Sequence, residues 1–162
     1  MTVGVGAAAL AAAGIAYATG FVGSPTITTL ATGSLPDATQ LNASRIKFET
    51  KDPTTVVQQS ITWHAGDSSG WHSHPGFVLV VVKSGPLYYE TADCVTHTYA
   101  SGQMFIESGS DPARVVQPAG ASDATIYETY VIPADRPARV DAQAPSCGTP
   151  QNKLRPGAQV DA

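Results

Sequence analysis

Residues 66–85 read G-D-S-S-G-W-H-S-H-P-G-F-V-L-V-V-V-K-S-G, and this stretch decides the fold. His72 and His74 are separated by one residue, and successive side chains of a strand point to opposite faces, so both imidazoles point to the same side. Two neighbouring imidazoles can take two adjacent positions around a divalent metal ion. An aliphatic run, Phe77 to Val82, follows the pair. The pattern therefore predicts a histidine pair carried by a strand of a buried sheet.

The spacing resembles the first signature of the cupin superfamily, G-x5-H-x-H-x3-E-x6-G. Four positions match, Gly66, His72, His74 and Gly85, whereas the glutamate position falls on Val78. The second signature, G-x5-P-x-G-x2-H-x3-N, keeps only Gly102. Its other positions carry residues of different chemistry: Ser108, Ser110, Ala113 and Gln117. The chain thus resembles a small exported single-domain cupin in which the first motif is largely kept and the second is degenerate.

From residue 45 onward, short segments of alternating polarity follow one another with turn residues between them, and no helical pattern of useful length is present. The predicted strands are 45–49, 54–64, 72–83 with an interruption at Pro75-Gly76, 87–90, 98–99, 104–107, 113–116 and 124–132. This pattern predicts an all-β antiparallel sandwich or barrel over residues 45–147. The resemblance implies, more narrowly, a cupin-type jelly-roll β-barrel, the double-stranded β-helix.

The resemblance also implies that His72 and His74 line the mouth of the barrel and ligate a metal such as Fe, Mn, Ni or Zn. A glutamate and a third histidine complete the site in cupins, but Val78 and Ala113 cannot coordinate a metal. A substitute ligand therefore comes from elsewhere, or the site is loose or empty. The candidate substitutes are Glu107, Gln117, Glu90, Glu128, His64 and His97. Glu107 and Gln117 rank first, because an inward carboxylate would complete a two-His-one-carboxylate set and an amide oxygen would occupy the same strand face.

Composition excludes some partners. The 162 residues suit one domain of ordinary size, and the net charge of −4 comes with nine scattered Lys and Arg residues. Without a basic patch, nucleic acid is not an expected partner. No phosphate-cradling glycine loop and no nucleophile-elbow serine is present. A small molecule is the expected partner, and a homodimer through edge strands is a further expectation.

The first 44 residues contain no Lys or Arg. Residues 3–18 are apolar and small, and they end in Ala16-Tyr17-Ala18, so residues 1–18 are interpreted as a signal peptide of a secreted or extracytoplasmic protein. A membrane anchor and a buried helix are the alternatives, although the run is short for a span. Residues 19–44 are interpreted as a linker with a possible edge strand around Thr26 to Leu30. Asn42-Ala43-Ser44 has the pattern of a glycosylation sequon.

The two cysteines agree with export. Cys94 and Cys147 are the pair that an oxidising compartment would join. The resulting disulfide would tie the C-terminal extension to the barrel and contribute about 4 kcal/mol in the chain-entropy model. Residues 148–162, which follow Cys147, contain too few apolar residues to pack and are predicted to be disordered.

Three functions remain open. The first is an exported cupin-like domain that binds a small molecule or a weakly held divalent metal in the barrel without strong catalysis. The second is a metal-dependent enzyme, an oxygenase or isomerase, that uses His72, His74 and an atypical third ligand. The third is a non-catalytic cell-surface scaffold, which would lack a ligand-sized cavity.

Overall fold

The structure is a computed structural model that describes residues 20–109 and 115–145. The predicted signal peptide (1–18) and tail (148–162) lie outside these ranges, as do Ala113 and Cys147. The described strands are β1 (Thr26–Leu35), β2 (Gln40–Ala43), β3 (Ile46–Glu49), β4 (Thr54–Trp63), β5 (His72–Ser73), β6 (Phe77–Ser84), β7 (Leu87–Glu90), β8 (Thr96–Tyr99), β9 (Met104–Glu107), β10 (Val115–Pro118), β11 (Ala124–Pro133) and β12 (Val140–Asp141). Within these ranges there is no helix of a length and apolarity that would cross a bilayer.

The strands form one large antiparallel sheet and three smaller groups. The large sheet has the order β1-β4-β11-β6-β9, and a second sheet has the order β10-β7-β8. Two further pairs, β12-β5 and β2-β3, complete the described strands. The order places β11, late in the sequence, between β4 and β6, so the sheet is built from pairings between distant segments. The all-β prediction is confirmed.

The core lies between the five-stranded and the three-stranded sheets. Strand β6 shows the period of two expected of a half-buried strand: Val78, Val80 and Val82 are buried, and the residues between them are more exposed. From the second sheet, Leu87 and Tyr89 join the same apolar cluster. Each fully buried side chain of this kind contributes roughly 1.5–3 kcal/mol relative to an exposed one. The alternation in the sequence therefore follows from one face of each sheet being apolar.

Residues 19–44 contain the expected edge strand, and it is longer than expected. Strand β1 runs for ten residues along the edge of the large sheet and pairs with β4 from Thr26↔Thr62 to Leu35↔Thr54, so it includes the possible edge strand around Thr26 to Leu30. Strand β2, in the rest of the segment, pairs with β3. Nearly every side chain of β1 is exposed. A strand without a buried face shows no alternation of polarity, so the pattern indicated only part of its length.

Gly85 fixes the turn between β6 and β7. Its φ angle is +74°, a left-handed conformation that costs an L-residue about 1–2 kcal/mol. A Cβ at this position would also lie 2.4 Å from the backbone oxygen of Asp123. The glycine of the sequence motif is therefore required both by its own backbone and by the close approach of the segment before β11.

Candidate metal centre

Two backbone interactions orient His72: the pairing of its strand with β12, and a hydrogen bond from its ring to a carbonyl group. It lies in the two-residue strand β5, directly opposite Asp141 of β12, and its side chain is 4% exposed. Its Nδ1 lies 2.9 Å from the carbonyl oxygen of Gly70. Because a carbonyl can only accept, the proton belongs on Nδ1, and Nε2 keeps its lone pair.

His74 is held in the same way. Its Nδ1 lies 2.6 Å from the carbonyl oxygen of Ala138, so this nitrogen also donates. Its Nε2 lies 2.8 Å from Oε2 of Glu107, and both side chains are almost completely buried. In metal proteins, ligating imidazoles characteristically donate their other ring N–H to a carbonyl or carboxylate, which fixes the ring and the tautomer. Both histidines of the motif already make that contact.

Glu107 comes from the neighbouring strand. It stands on β9 directly opposite Val78 of β6, the residue at the glutamate position of the sequence motif. Directly opposite residues of an antiparallel pair project from the same face of the sheet with their Cβ atoms about 4.5–5.5 Å apart. The carboxylate absent at Val78 is thus supplied to the same region of the barrel by the adjacent strand.

The three side chains form one compact donor set. One ligand atom from each of His72, His74 and Glu107 can be chosen so that all lie within 4.8 Å of one another. Donors that share a metal at about 2.0–2.2 Å lie no more than about 4.4 Å apart, and about 3 Å apart in adjacent positions, so the side chains would move inward to share one ion. The imidazoles are edge to face, with centroids 4.8 Å apart at 86°. Two imidazoles and one carboxylate fit a divalent transition metal.

The two histidines are electrostatically unequal. Burial lowers the pKa of His72 to about 4, against the opposing effect of the Glu107 charge, and the charge of Arg139 lowers it further. Burial also acts to lower the pKa of His74. The hydrogen bond to Glu107 and that carboxylate's charge outweigh it and raise the pKa of His74 above its ordinary value. His72 is therefore neutral, as a ligand must be, whereas His74 and Glu107 share a proton that a metal would displace.

A small cavity of about 30 Å³ adjoins the two histidines. It is lined by Phe21, Ile61, Trp63, Ser69, His72, His74, Val116, Glu128, Tyr130 and Arg139. Glu128 accepts a hydrogen bond from the hydroxyl of Tyr130. Burial, and then the charge of Glu107, raise the pKa of Glu128 to about 7. The cavity thus contains a carboxyl group that is poised between its two protonation states near neutral pH.

The segment 20–24, which we call the N-terminal strap, contributes Phe21 to the lining of the cavity. Val22 exchanges two backbone hydrogen bonds with Ser68, at 2.9 and 3.0 Å. These bonds hold Phe21 against Trp63, with ring centroids 5.8 Å apart. The guanidinium carbon of Arg139 lies 4.4 Å from the Phe21 centroid. An aromatic–cation contact therefore forms part of the cavity wall.

The other predicted ligands lie elsewhere. Gln117 follows Val116, a core residue, on β10, so its side chain points to the opposite face of that strand. Glu90 is buried on β7 and is not part of the donor set. His64 contacts Asp123 and Thr26 at the surface, and His97 is exposed on β8. Of the six candidates, the structure brings only Glu107 to the histidine pair, and it places Glu128 in the adjoining cavity.

Two residues of the site were not anticipated from the sequence. Phe21 falls in the segment interpreted as a linker, and Arg139 falls in the Pro- and Ala-rich stretch after β11. Both reach the cavity through backbone pairings of only one or two residues: Val22 with Ser68, and β12 with β5. Pairings this short leave no periodic signal in a sequence.

Comparison with known proteins shows the fold. No protein-family model and no curated protein matches the sequence. Among solved structures, a cupin-like protein from Thermotoga maritima matches with a TM-score of 0.56 and 12% identity, over 94% of this chain and 100% of that chain. A conserved protein with a double-stranded beta-helix domain from Klebsiella pneumoniae subsp. pneumoniae matches with a TM-score of 0.52 and 16% identity, over 75% of this chain and 86% of that chain. The chain therefore has the cupin fold, a double-stranded β-helix, as the resemblance in residues 66–85 predicted.

Proposed function

We propose that this chain is a metal-binding cupin-like domain in which His72, His74 and Glu107 hold one divalent transition metal. The observation that carries the proposal is the pair of contacts from the two Nδ1 atoms to the carbonyls of Gly70 and Ala138. These contacts fix both tautomers so that each Nε2 can coordinate, and they do so in a buried site beside a carboxylate. An ordinary core histidine also makes one such hydrogen bond. The feature that distinguishes this pair is the buried carboxylate of Glu107 beside the second ring nitrogen of His74.

The donor set suits Fe, Mn, Ni or Zn in the divalent state. Two imidazoles and one carboxylate on one side of the ion leave coordination positions open, the arrangement typical of non-haem Fe(II) oxygenases. A bound ion would supply Lewis acidity to a small molecule that enters through those positions. The adjoining cavity, lined by His72 and His74, is the space for that molecule.

A metal-dependent enzyme, an oxygenase or isomerase, is the second candidate function. Glu128 favours it, because it places a carboxyl group in the cavity beside both histidines, where it could act as a general acid or base. Tyr130 donates a hydrogen bond to Glu128 and thereby fixes the carboxyl group within the cavity. In this function His72, His74 and Glu107 would position the metal, and Glu128 would accept or return a proton of the bound molecule.

Export, the Cys94–Cys147 disulfide and dimerisation belong to the same proposal. The apolar residues 1–18 and the two cysteines support export. N-terminal sequencing of protein recovered from the medium or periplasm tests it, with Thr19 as the expected first residue. A free thiol titre close to zero in the denatured, unreduced protein is expected for the disulfide. Light scattering reports whether the protein is a dimer.

The metal centre is tested by elemental analysis of protein purified without chelators after expression with Fe, Mn, Ni and Zn. We expect about one metal ion per chain in the wild type. His72→Ala and Glu107→Gln should retain less than about a tenth of it, since each removes one of three protein ligands. His97→Ala, which alters an exposed histidine on β8, is the matched control and should keep the full metal content.

Two results would oppose the proposal. A folded wild type that contains far less than one ion per chain, with all four metals offered, would exclude a metal centre. Equal metal content in His72→Ala and His97→Ala would place any bound metal elsewhere. For the oxygenase, nitric oxide added to the Fe(II)-loaded protein in the absence of oxygen should produce a new EPR signal, and an unchanged spectrum would show that no position is open.

A further inference from the structure

We infer that the ligand of this cavity is a small carboxylate, held between the metal and the guanidinium of Arg139. This inference rests on the proposed metal centre and assigns the chemical class of the molecule that the centre takes. Arg139 lines the same cavity as His72, His74 and Glu128, and among the described residues that line it, Arg139 is the one Lys or Arg. Arginine is suited to this task because its planar guanidinium presents donors in a geometry that matches a carboxylate.

Arg139 is held in place from three sides. Its Nε donates to Oδ1 of Asp141 at 2.6 Å, and its Nη2 donates to the carbonyl oxygen of Ser69 at 2.6 Å. Its guanidinium carbon lies 4.4 Å from the centroid of the Phe21 ring. A guanidinium has five N–H donors, and these two hydrogen bonds use two of them. The side chain is thus preorganised and retains donors for a ligand, which lowers the entropy cost of binding.

The charges beside the cavity favour an anionic ligand. A divalent metal would bring two positive charges, and Glu107 offsets only one of them. Arg139 pairs with Asp141, but the side chain of Asp141 lies on the solvent side, 46% exposed against 20% for Arg139. A carboxylate that contacts both the metal and Arg139 would therefore meet positive charge on two sides of a buried site.

The size of the cavity restricts the ligand further. A volume of about 30 Å³ holds on the order of two water molecules. The strap residue Phe21 and Trp63 both line the cavity, with ring centroids 5.8 Å apart. A carboxylate of few heavy atoms enters with little rearrangement, whereas a larger acid requires the stack of Phe21 and Arg139 to open. Formate and formamide have nearly the same size, but only formate is charged. Comparing their affinities therefore isolates the contribution of the ligand's charge to binding.

The test measures binding of both probes to the Co(II)-loaded protein through its visible absorption spectrum. The metal content is first measured in each variant, so that failure of the metal centre is seen separately. We expect formate to bind the wild type and Arg139→Lys, and to bind Arg139→Gln at least tenfold more weakly. Formamide should bind more weakly than formate to the wild type, and equally to all variants. Arg136→Gln removes a neighbouring exposed arginine that does not line the cavity, and it should match the wild type.

The outcomes separate the two proposals. If the wild type contains no metal, the metal centre fails and the inference fails with it. If the metal content is complete but formate binds the wild type and Arg139→Gln with equal affinity, the centre stands and the assigned ligand class is wrong. Equal affinities of the wild type for formate and formamide would also overturn it. A metal-depleted Arg139→Gln would contradict the role given to Arg139, which contacts none of the proposed ligands.

Discussion

Val78 on β6 and Glu107 on β9 stand directly opposite each other in the large sheet. The first residue occupies the glutamate position of the cupin motif, and the second carries the carboxylate that contacts His74. A ligand can thus move from one strand to the next without leaving its site, because opposite residues of an antiparallel pair share a face. A motif that is incomplete along the chain can be complete in space.

The pairing of Val78 with Glu107 predicts that the carboxylate ligand can be moved from position 107 to position 78. Glu107→Val should weaken metal binding at least about tenfold, because two imidazoles alone remain. Adding Val78→Glu to that variant should restore much of the affinity, since the new carboxylate projects from the same face beside His74. Competition with a coloured chelator measures both affinities.

The matched control places the carboxylate two residues further along β6, at position 80 instead of position 78. Val80 also faces the core from β6, but it stands opposite Phe105 rather than Glu107. The double variant Val80→Glu/Glu107→Val should therefore remain as weak as Glu107→Val. Equal recovery by the two double variants would show that any nearby buried carboxylate suffices and that register is irrelevant.

Gly85→Ala should destabilise the fold by about 2–5 kcal/mol. The substitution combines the cost of a left-handed conformation with overpacking, because the new Cβ would lie 2.4 Å from the backbone oxygen of Asp123 and 2.9 Å from Cα of Ala124. Gly33→Ala in the exposed strand β1 is the control, since no atom lies within 4 Å of its added Cβ. Urea unfolding measures both, and similar midpoints for the two variants would contradict the explanation.

Glu128→Gln should stabilise the metal-free protein increasingly as the pH rises. The folded pKa of Glu128 is about 7, above its ordinary value of 4.5, so this carboxyl favours folding below pH 4.5. That contribution disappears as the pH rises to about 7, because only the unfolded chain ionises it freely. Glutamine cannot ionise, so the variant should gain up to about 3 kcal/mol over the wild type between pH 4.5 and 8.

Chelator-treated protein is required for this comparison, with urea unfolding at several pH values. His72, whose pKa is lowered to about 4, favours folding above its ordinary value of 6.5 and loses that contribution as the pH falls. It titrates in both proteins, so the difference between them isolates Glu128. A difference that does not change with pH would mean that Glu128 has an ordinary pKa in the folded protein.

Phe21→Ala should make the metal leave faster. The ring of Phe21 lines the cavity and packs on Trp63 and against Arg139, so its removal should open a path for water and chelator. We expect extraction by excess EDTA to accelerate at least about threefold at unchanged metal stoichiometry. Leu41→Ala, which truncates an exposed apolar side chain on β2, should not alter the rate. An unchanged rate in Phe21→Ala would mean that the metal exchanges by another route.

The sequence predicted the barrel where strands have one buried face. On β6 the inward positions are apolar, and on β11 they are apolar apart from Glu128; they alternate with more exposed positions over most of both strands, and that period is visible without coordinates. It indicated only part of β1, around Thr26 to Leu30, because the side chains of this strand are almost all exposed and its place in the sheet depends on backbone pairing with β4. A segment of Thr, Ala, Gly and Ser then resembles a linker.

The sequence predicted the two histidines of the site but not the choice of its other residues, again because those depend on pairing between strands. His72 and His74 are two residues apart, so their common direction follows from local geometry. The choice of Glu107 among six candidates depends on the register of β6 and β9, and the contribution of Arg139 depends on β12 reaching β5. Such contacts join distant segments, and nothing in either segment alone specifies its partner.

The position of β11 has a consequence for biosynthesis. While the chain is still emerging from the ribosome, β1 can pair with β4 and β6 with β9, but no ladder joins these two pairs until β11 is made. Pairings between distant segments make folding slow. The carbonyl of Ala138 that orients His74 arrives later still. Metallation should therefore follow translation rather than guide it, and a chain truncated after residue 123 should be digested rapidly by protease and capture no metal.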